Sequence, residues 1–294
     1  MEWIHFVRKE DFSDSYFQKH KQVPVCTWNQ WRKVSKKLEA TEEDLLFVYE
    51  GNDVKDAIAT NADKYIRQAN IHDGQCIYVL MSDSSIDAPW CFPVLKKYIH
   101  PQDEVCVLAL SFFDDVKNEK DWNRQYKKGQ GMEYTEHTNV FFKYGIKESQ
   151  IHWVNYFTDS RQEIEAKIEK SNIIFLTGGA PDLMMKRIKE FKLKPYLKNY
   201  KGLMIGYSAG AMIQLDSYHI TPDEEYPAFK YETGLGCLRG FSIEPHYHAS
   251  KKQKQSIEKV IEEKNNPVYG LYENGGLLIR QNEISCFGKV DCIE

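Results

Sequence analysis

The sequence holds no C-x-x-C pair. Its seven cysteines are odd in number and scattered, at positions 26, 76, 91, 106, 237, 286 and 292. That pattern argues against a disulfide framework and against thiolate zinc sites. Cys76 and Cys106 stand in apolar, strand-like runs and are expected as buried thiols. Histidine, cysteine and carboxylate side chains do not cluster at metal-ligand spacing, so no metal and no cofactor is expected. Nor does any apolar stretch approach the ~18 residues of a membrane span. The opening Met1-Glu2-Trp3-Ile4-His5-Phe6-Val7 meets Arg8-Lys9-Glu10 too early for a signal-peptide core. An excess of positive charge is also missing. The formal net charge is −4, so no global field draws the chain to nucleic acid or anionic lipid. Lys251, Lys252 and Lys254 form a local cluster that reads as a solvated helix start. Repeats and low-complexity segments are absent. A soluble protein of a reducing, cytoplasmic compartment is expected.

What is present is ordinary for a globular chain: 42% hydrophobic and 28% charged residues over 294 positions, enough for one large domain or two small ones. From about Gln75 onward, short apolar runs alternate with helical patterns. Strands are expected over residues 76–81, 105–110, 152–156, 172–176, 203–207 and 268–272, with a late hairpin from 276–280 to 283–287. Between them Tyr134, His137, Phe141 and Tyr144 recur at helical spacing, as do Met184, Ile188 and Phe191, then Ile257, Val260 and Ile261. Pro181 suits a first helical turn, and Asn265-Asn266-Pro267 ends the last helix. Alternation of this kind predicts an α/β fold with a mostly parallel sheet covered on both faces. Residues 1–74 differ, being polar and charged with aromatics throughout. They form an extension expected to pack on the core of residues 75–294, with one strand over 45–49 and a helix over 53–69.

Chemistry concentrates at Gly206-Tyr207-Ser208-Ala209-Gly210-Ala211, which follows the apolar run Leu203-Met204-Ile205. Strand, sharp turn and helix would lift Ser208 clear of its neighbours, as in a nucleophile elbow. The N–H of the next residue can then help hold an oxyanion. A helix-capping serine in a tight turn is the plainer reading of the same residues. Serine attack needs a base, and only His219, His246 and His248 follow. His246 follows Pro245 at the end of an extended segment, where open α/β sheets gather catalytic side chains. His219, in the polar stretch Asp216-Ser217-Tyr218-His219, is expected at the surface, while His248 could replace His246 as base or touch substrate. Another apolar run leads into Thr177-Gly178-Gly179-Ala180-Pro181, a turn whose backbone N–H groups suit an oxyanion hole. No Gly-Lys-Ser/Thr follows, so nucleotide binding ranks below.

The order Thr177-Gly178-Gly179, Gly206-Tyr207-Ser208-Ala209-Gly210-Ala211, Pro245-His246 and Leu271-Tyr272-Glu273-Asn274-Gly275 resembles the serine peptidase family of aspartyl dipeptidase (peptidase E) and cyanophycinase. The likeness runs from about Gln75 to the C-terminus, and the Ser208-to-His246 spacing is also similar. The resemblance implies a three-layer α/β/α sandwich of the class I glutamine amidotransferase type, acting on a small peptide without a cofactor. It assigns Ser208 as nucleophile, His246 as general base and Glu273 as the triad carboxylate, with Gly179 and Ala209 as oxyanion-hole donors. Asp223, in an acidic turn, competes with Glu273 for the carboxylate role.

The chain also departs from that pattern. Ala180-Pro181 stands where family members carry Asn then Thr or Gln, so aspartate specificity is not carried over. The N-terminal part has no counterpart in the short dipeptidases. It could lid the site, mediate assembly into a homo-oligomer or shape another specificity. The amidotransferase branch uses a cysteine nucleophile and a glutamate two residues after its histidine, where this chain has Ser208 and His248. The leading expectation is a serine hydrolase cleaving a dipeptide or another small amide. The alternatives are a non-catalytic descendant that binds a ligand or partner protein, and a hydrolase or acyl transferase with a different acyl substrate.

Overall fold

β-Branched and aliphatic residues on the central runs let the central strands bury both faces, and a computed structural model of the chain has that arrangement. It describes residues 76–280 and 282–294, together with the backbone of two N-terminal strands. Two compact units divide the chain, Met1–Gln75 and Cys76–Glu294. In the first, β1 (Glu2–Arg8) and β2 (Asp44–Glu50) pair antiparallel, Glu2 opposite Glu50 and Arg8 opposite Asp44. The strand expected over 45–49 lies within β2. The helix expected over 53–69 and the packing expected of residues 1–74 lie outside the described residues.

The second unit is built on an eight-stranded sheet in the order β10-β11-β3-β7-β6-β4-β5, with β12 paired to β11. Its strands are β3 (Ile77–Met81), β4 (Val105–Leu108), β5 (Ile151–Val154), β6 (Ile173–Leu176), β7 (Leu203–Tyr207), β10 (Ser242–Glu244), β11 (Val268–Arg280) and β12 (Glu283–Ile293). Pairings from β3 through β5 are parallel, whereas β11 runs antiparallel to β3 and β12. A separate hairpin joins β8 (Ser217–Ile220) to β9 (Lys230–Thr233).

Successive residues of each strand point to opposite faces, and across the central strands β4, β6 and β7 both faces are dry. Ile174, Leu176, Cys106, Leu108 and Met204 join one core cluster, with Ile164, Met184, Ile188 and Leu197. Ile173, Phe175, Val105, Val107 and Ile205 join the other, with Leu95, Phe141 and Tyr144. The helices that cover these faces are α1 (Phe92–Leu95), α2 (Glu119–Tyr126), α3 (Met132–Asn139), α4 (Arg161–Lys170), α5 (Pro181–Glu190) and α6 (Lys194–Lys198). Two more follow, α7 (Ala209–Met212) and α8 (Lys251–Lys264). This is a three-layer α/β/α sandwich about a mostly parallel sheet.

Pro181 occupies the first turn of α5. α8 starts with a Ser250–Gln253 capping box and stops at Asn265, which takes a left-handed conformation (φ 51°). The helical spacing through Tyr144 is broken instead: α3 stops at Asn139 and a 3-10 turn, Phe142–Tyr144, carries Tyr144 into the core. The strand expected over 268–272 and the hairpin arm over 276–280 are one strand, β11, interrupted by a register shift between Leu271 and Gly275.

Candidate active site

Ser208 sits at the tip between β7 and α7 with φ 48° and ψ −116°, a backbone that L-residues avoid unless the surroundings enforce it. Its N–H donates to the Met81 carbonyl at 2.9 Å, tying the turn to β3. Gly206 and Gly210 allow this close packing. A Cβ on Gly206 would lie 2.2 Å from the Gly210 oxygen, and one on Gly210 would lie 2.2 Å from the Leu176 oxygen. Behind the serine, Tyr207 donates to His137 Nε2, while His137 Nδ1 faces the Glu133 carbonyl at 2.7 Å. Donation from Nδ1–H leaves Nε2 as acceptor, so His137 is held neutral, and burial lowers its pKa.

His246 follows β10 with φ 52°. Two backbone contacts, one of them anchored in turn on β11, hold this strained residue. Ser82 Oγ accepts from its N–H at 3.0 Å and donates to the Leu271 carbonyl at 2.6 Å. Gln253 Nε2 donates to the His246 carbonyl at 2.9 Å. Ser82 is fully buried and Gln253 nearly so, hence both are built into the frame. Glu273 lies within the shifted register of β11, where residues 272–274 leave the ladder with β12. A bulge of this kind re-aims a side chain. Its Oε1 reaches His246 Nδ1 at 2.8 Å, and His246 Nε2 reaches Ser208 Oγ at 2.9 Å. The side chains of His246 and Glu273 are 50% and 66% exposed. Their contact therefore adds little to stability, and its effect is to orient the imidazole.

Gly179 takes φ 128°, and a Cβ there would strike the Ser111 carbonyl at 2.4 Å. Ser111 organises this turn: its carbonyl accepts from Ala180 N–H at 2.7 Å, and its hydroxyl contacts Thr177 Oγ1 at 2.7 Å and donates to the Gly178 carbonyl. Arg187, buried on α5, donates to the Leu110 and Phe112 carbonyls at 2.7 and 2.6 Å and stacks 3.5 Å over the Phe112 ring. Among the described residues, the backbone N–H groups of Gly179 and Ala209 take no acceptor. They are available to a developing oxyanion.

The structure thus joins Ser208, His246 and Glu273 in one hydrogen-bonded chain. His248 places its Nδ1 on the His246 carbonyl at 2.9 Å, not on Ser208, and lines the cavity beside both residues. Asp223 accepts from Tyr226 N–H at 2.7 Å within its own turn. His219 corrects the expectation of a surface histidine. It is 1% exposed, because Phe229 stacks on the ring and Glu244 of β10 closes on its Nε2 side. Its Nε2 contacts Glu244 Oε2 at 2.8 Å. Ser82, Ser111, Gln253 and Arg187 went unread in the sequence. A lone serine such as Ser82 carries no local signal of what it will touch some 164 residues away.

A cavity of about 570 Å³ opens beside Ser208 and His246 and is also lined by Gly179, His219 and Glu244. Cys76 and Cys106 are buried and unpaired, and burial pushes both thiols up to about 12. Among the described residues, no group of three or more His, Cys, Asp or Glu is placed to hold a metal ion. No helix among them is long and apolar enough to cross a membrane.

Compared with known proteins, residues 127–287 match the profile of peptidase family S51. The fold is similar to that of a crystallised Listeria monocytogenes EGD-e protein provisionally described as peptidase E. The two share 20% identity and a TM-score of 0.52, over 72% of this chain and 98% of that one. A peptidase from an acI-B1 Actinobacterium aligns at 13% identity and a TM-score of 0.49, over 74% and 90%. No curated protein matches at a significant level.

Proposed function

The chain belongs to peptidase family S51, and from that membership we propose that it is a serine hydrolase cleaving a dipeptide or another small amide through Ser208, His246 and Glu273. The observation that carries this reading is the unbroken chain of contacts from Ser208 Oγ to His246 Nε2 and from His246 Nδ1 to Glu273 Oε1, at 2.9 and 2.8 Å. His246 takes the Ser208 proton as Oγ attacks the carbonyl carbon, then delivers it to the departing amine. Glu273 accepts from Nδ1–H, which keeps the Nε2 lone pair on the serine side and stabilises the imidazolium as it forms. The Gly179 and Ala209 N–H groups receive the tetrahedral oxyanion. Water activated by His246 then releases the acyl group and regenerates Ser208. A reducing, cytoplasmic setting belongs to the same proposal and is supported by the unpaired thiols of Cys76, Cys91 and Cys106.

The test is hydrolysis of a dipeptide panel, with and without N-terminal aspartate, by the wild type and by Ser208→Ala. Cleavage that disappears in the variant supports the serine mechanism. Cleavage that survives it, or a folded wild type inert on the panel and unreactive toward a fluorophosphonate, overturns the reading.

A further inference from the structure

Glu244 lies two residues before His246, at the end of β10, and is 5% exposed. One of its carboxylate oxygens is fully engaged: Oε2 accepts from Thr221 Oγ1 at 2.8 Å and contacts His219 Nε2 at 2.8 Å. Oε1 has no partner among the described residues, and it is not among their buried unsatisfied atoms, so it reaches open space. Since Glu244 lines the cavity beside Ser208, that space is the cavity.

The charge state of the pair follows from His219. Its Nδ1 is buried without a hydrogen-bond partner. A neutral ring that donates from Nε2–H leaves only a lone pair unmatched there, whereas an imidazolium would strand a charged N–H. The neutral ring is the better fit, so His219 does not cancel the carboxylate. A desolvated negative group with one oxygen tied down and the other facing a pocket has no cation of its own. Other charges at the cavity, Asp223, Glu224, Lys251 and Lys252, are exposed and screened by water. They contribute less to selection than a charge held in a low-dielectric wall.

We propose that Glu244 is a specificity residue that receives a cationic group of the ligand, an ammonium or a guanidinium on the residue whose carbonyl faces Ser208. The α-ammonium of a chain terminus and a basic side chain share this chemistry. His219 and Thr221 are positioning residues that hold Oε2 and thereby aim Oε1. Calling the ligand a substrate rests on the serine-hydrolase reading, but its binding does not.

The test is calorimetric binding to the full-length Ser208→Ala protein, which separates recognition from turnover. Four amides are compared: argininamide, norleucinamide, N-acetyl-argininamide and N-acetyl-norleucinamide. The expected result is at least tenfold tighter binding of one or more cationic ligands than of doubly neutral N-acetyl-norleucinamide. Norleucinamide and N-acetyl-argininamide tell the α-ammonium from the guanidinium. Adding Glu244→Gln should erase the preference, while Glu244→Asp, which keeps the charge, should retain part of it. Equal binding of all four amides by the Ser208→Ala protein overturns the proposal. So does tighter binding of an N-acetylated aspartyl amide, or a preference that persists in folded Glu244→Gln. Should Glu244→Gln not fold, the four-ligand ranking and the Glu244→Asp result decide. Fluorophosphonate labelling of the wild type reads the serine independently, so failure of catalysis and failure of cation recognition are distinguishable.

Discussion

Glu273 and Ser208 make opposite demands on their surroundings. The glutamate is 66% exposed and packs against little, so removing its charge leaves the fold alone. Glu273→Gln should change the unfolding free energy by no more than about 0.5 kcal/mol. It should nonetheless lower kcat by roughly 10²–10⁴-fold, because a side chain that no longer has to accept from Nδ1–H permits the wrong histidine tautomer. Steady-state kinetics with a urea titration reads both quantities, and undiminished kcat would remove Glu273 from the mechanism. Ser208, held at φ 48°, carries the strain of the elbow. Gly179, at φ 128° and against the Ser111 carbonyl, has no room for a side chain. Gly179→Ala should therefore displace the turn and lower kcat with a smaller effect on KM, whereas intact kcat would argue that its N–H meets no oxyanion.

Among the elements, the loop after β10 depends on contacts from three others: Ser82 after β3 and Gln253 in α8 hold His246, and the Leu271 carbonyl in β11 accepts from Tyr247 N–H. Ser82→Ala leaves the His246 N–H without its acceptor, while the Leu271 carbonyl keeps the Tyr247 N–H, a loss of about 1–3 kcal/mol. Thermal denaturation should show that loss together with reduced kcat. A destabilised variant of full activity would mean that His246 is placed without Ser82. The contact between α3 and β7 predicts a pH effect. Burial depresses His137 below its ordinary 6.5. As pH falls past that value the unfolded chain binds a proton that the folded ring refuses, so stability is full above it and declines on acidification toward the folded value. The thermal midpoint should drop between about pH 7.5 and 5.5, and less steeply in His137→Gln. Equal slopes would show that other groups govern the acid limb.

At the scale of the molecule, the sandwich stands on a sheet whose central strands are dry on both faces. Phe175, fully buried in β6 between Phe141, His137 and Tyr207, links the core to the turn that carries Ser208. Truncation to Ala should cost about 3–5 kcal/mol by urea denaturation. A loss under about 1 kcal/mol would mean that the layer collapses around the gap. Since the proton relay proposed here runs through side chains alone, activity should survive dialysis against a chelator. Activity restored only by a divalent cation would count against that relay.

The sequence by itself determined the alternation of strand and helix, because one-dimensional periodicity reports which faces are buried. It also offered the elbow at Ser208, through the small residues Gly206 and Gly210, beside a helix-capping serine that the backbone of the folded turn does not bear out. It named Glu273 only through resemblance, with Asp223 as a rival. Tertiary structure decided what depends on distant partners. The bulge in β11 brings Glu273 rather than Asp223 to His246. Packing against Phe229 and Glu244 buries His219, a residue that looks exposed among its polar neighbours. Ser82 and Ser111 acquire their roles from segments far along the chain, while Gln253 reaches the turn just before its own helix. Local pattern encodes burial and turn geometry, whereas a hydrogen bond between remote elements exists only once the sheet has assembled.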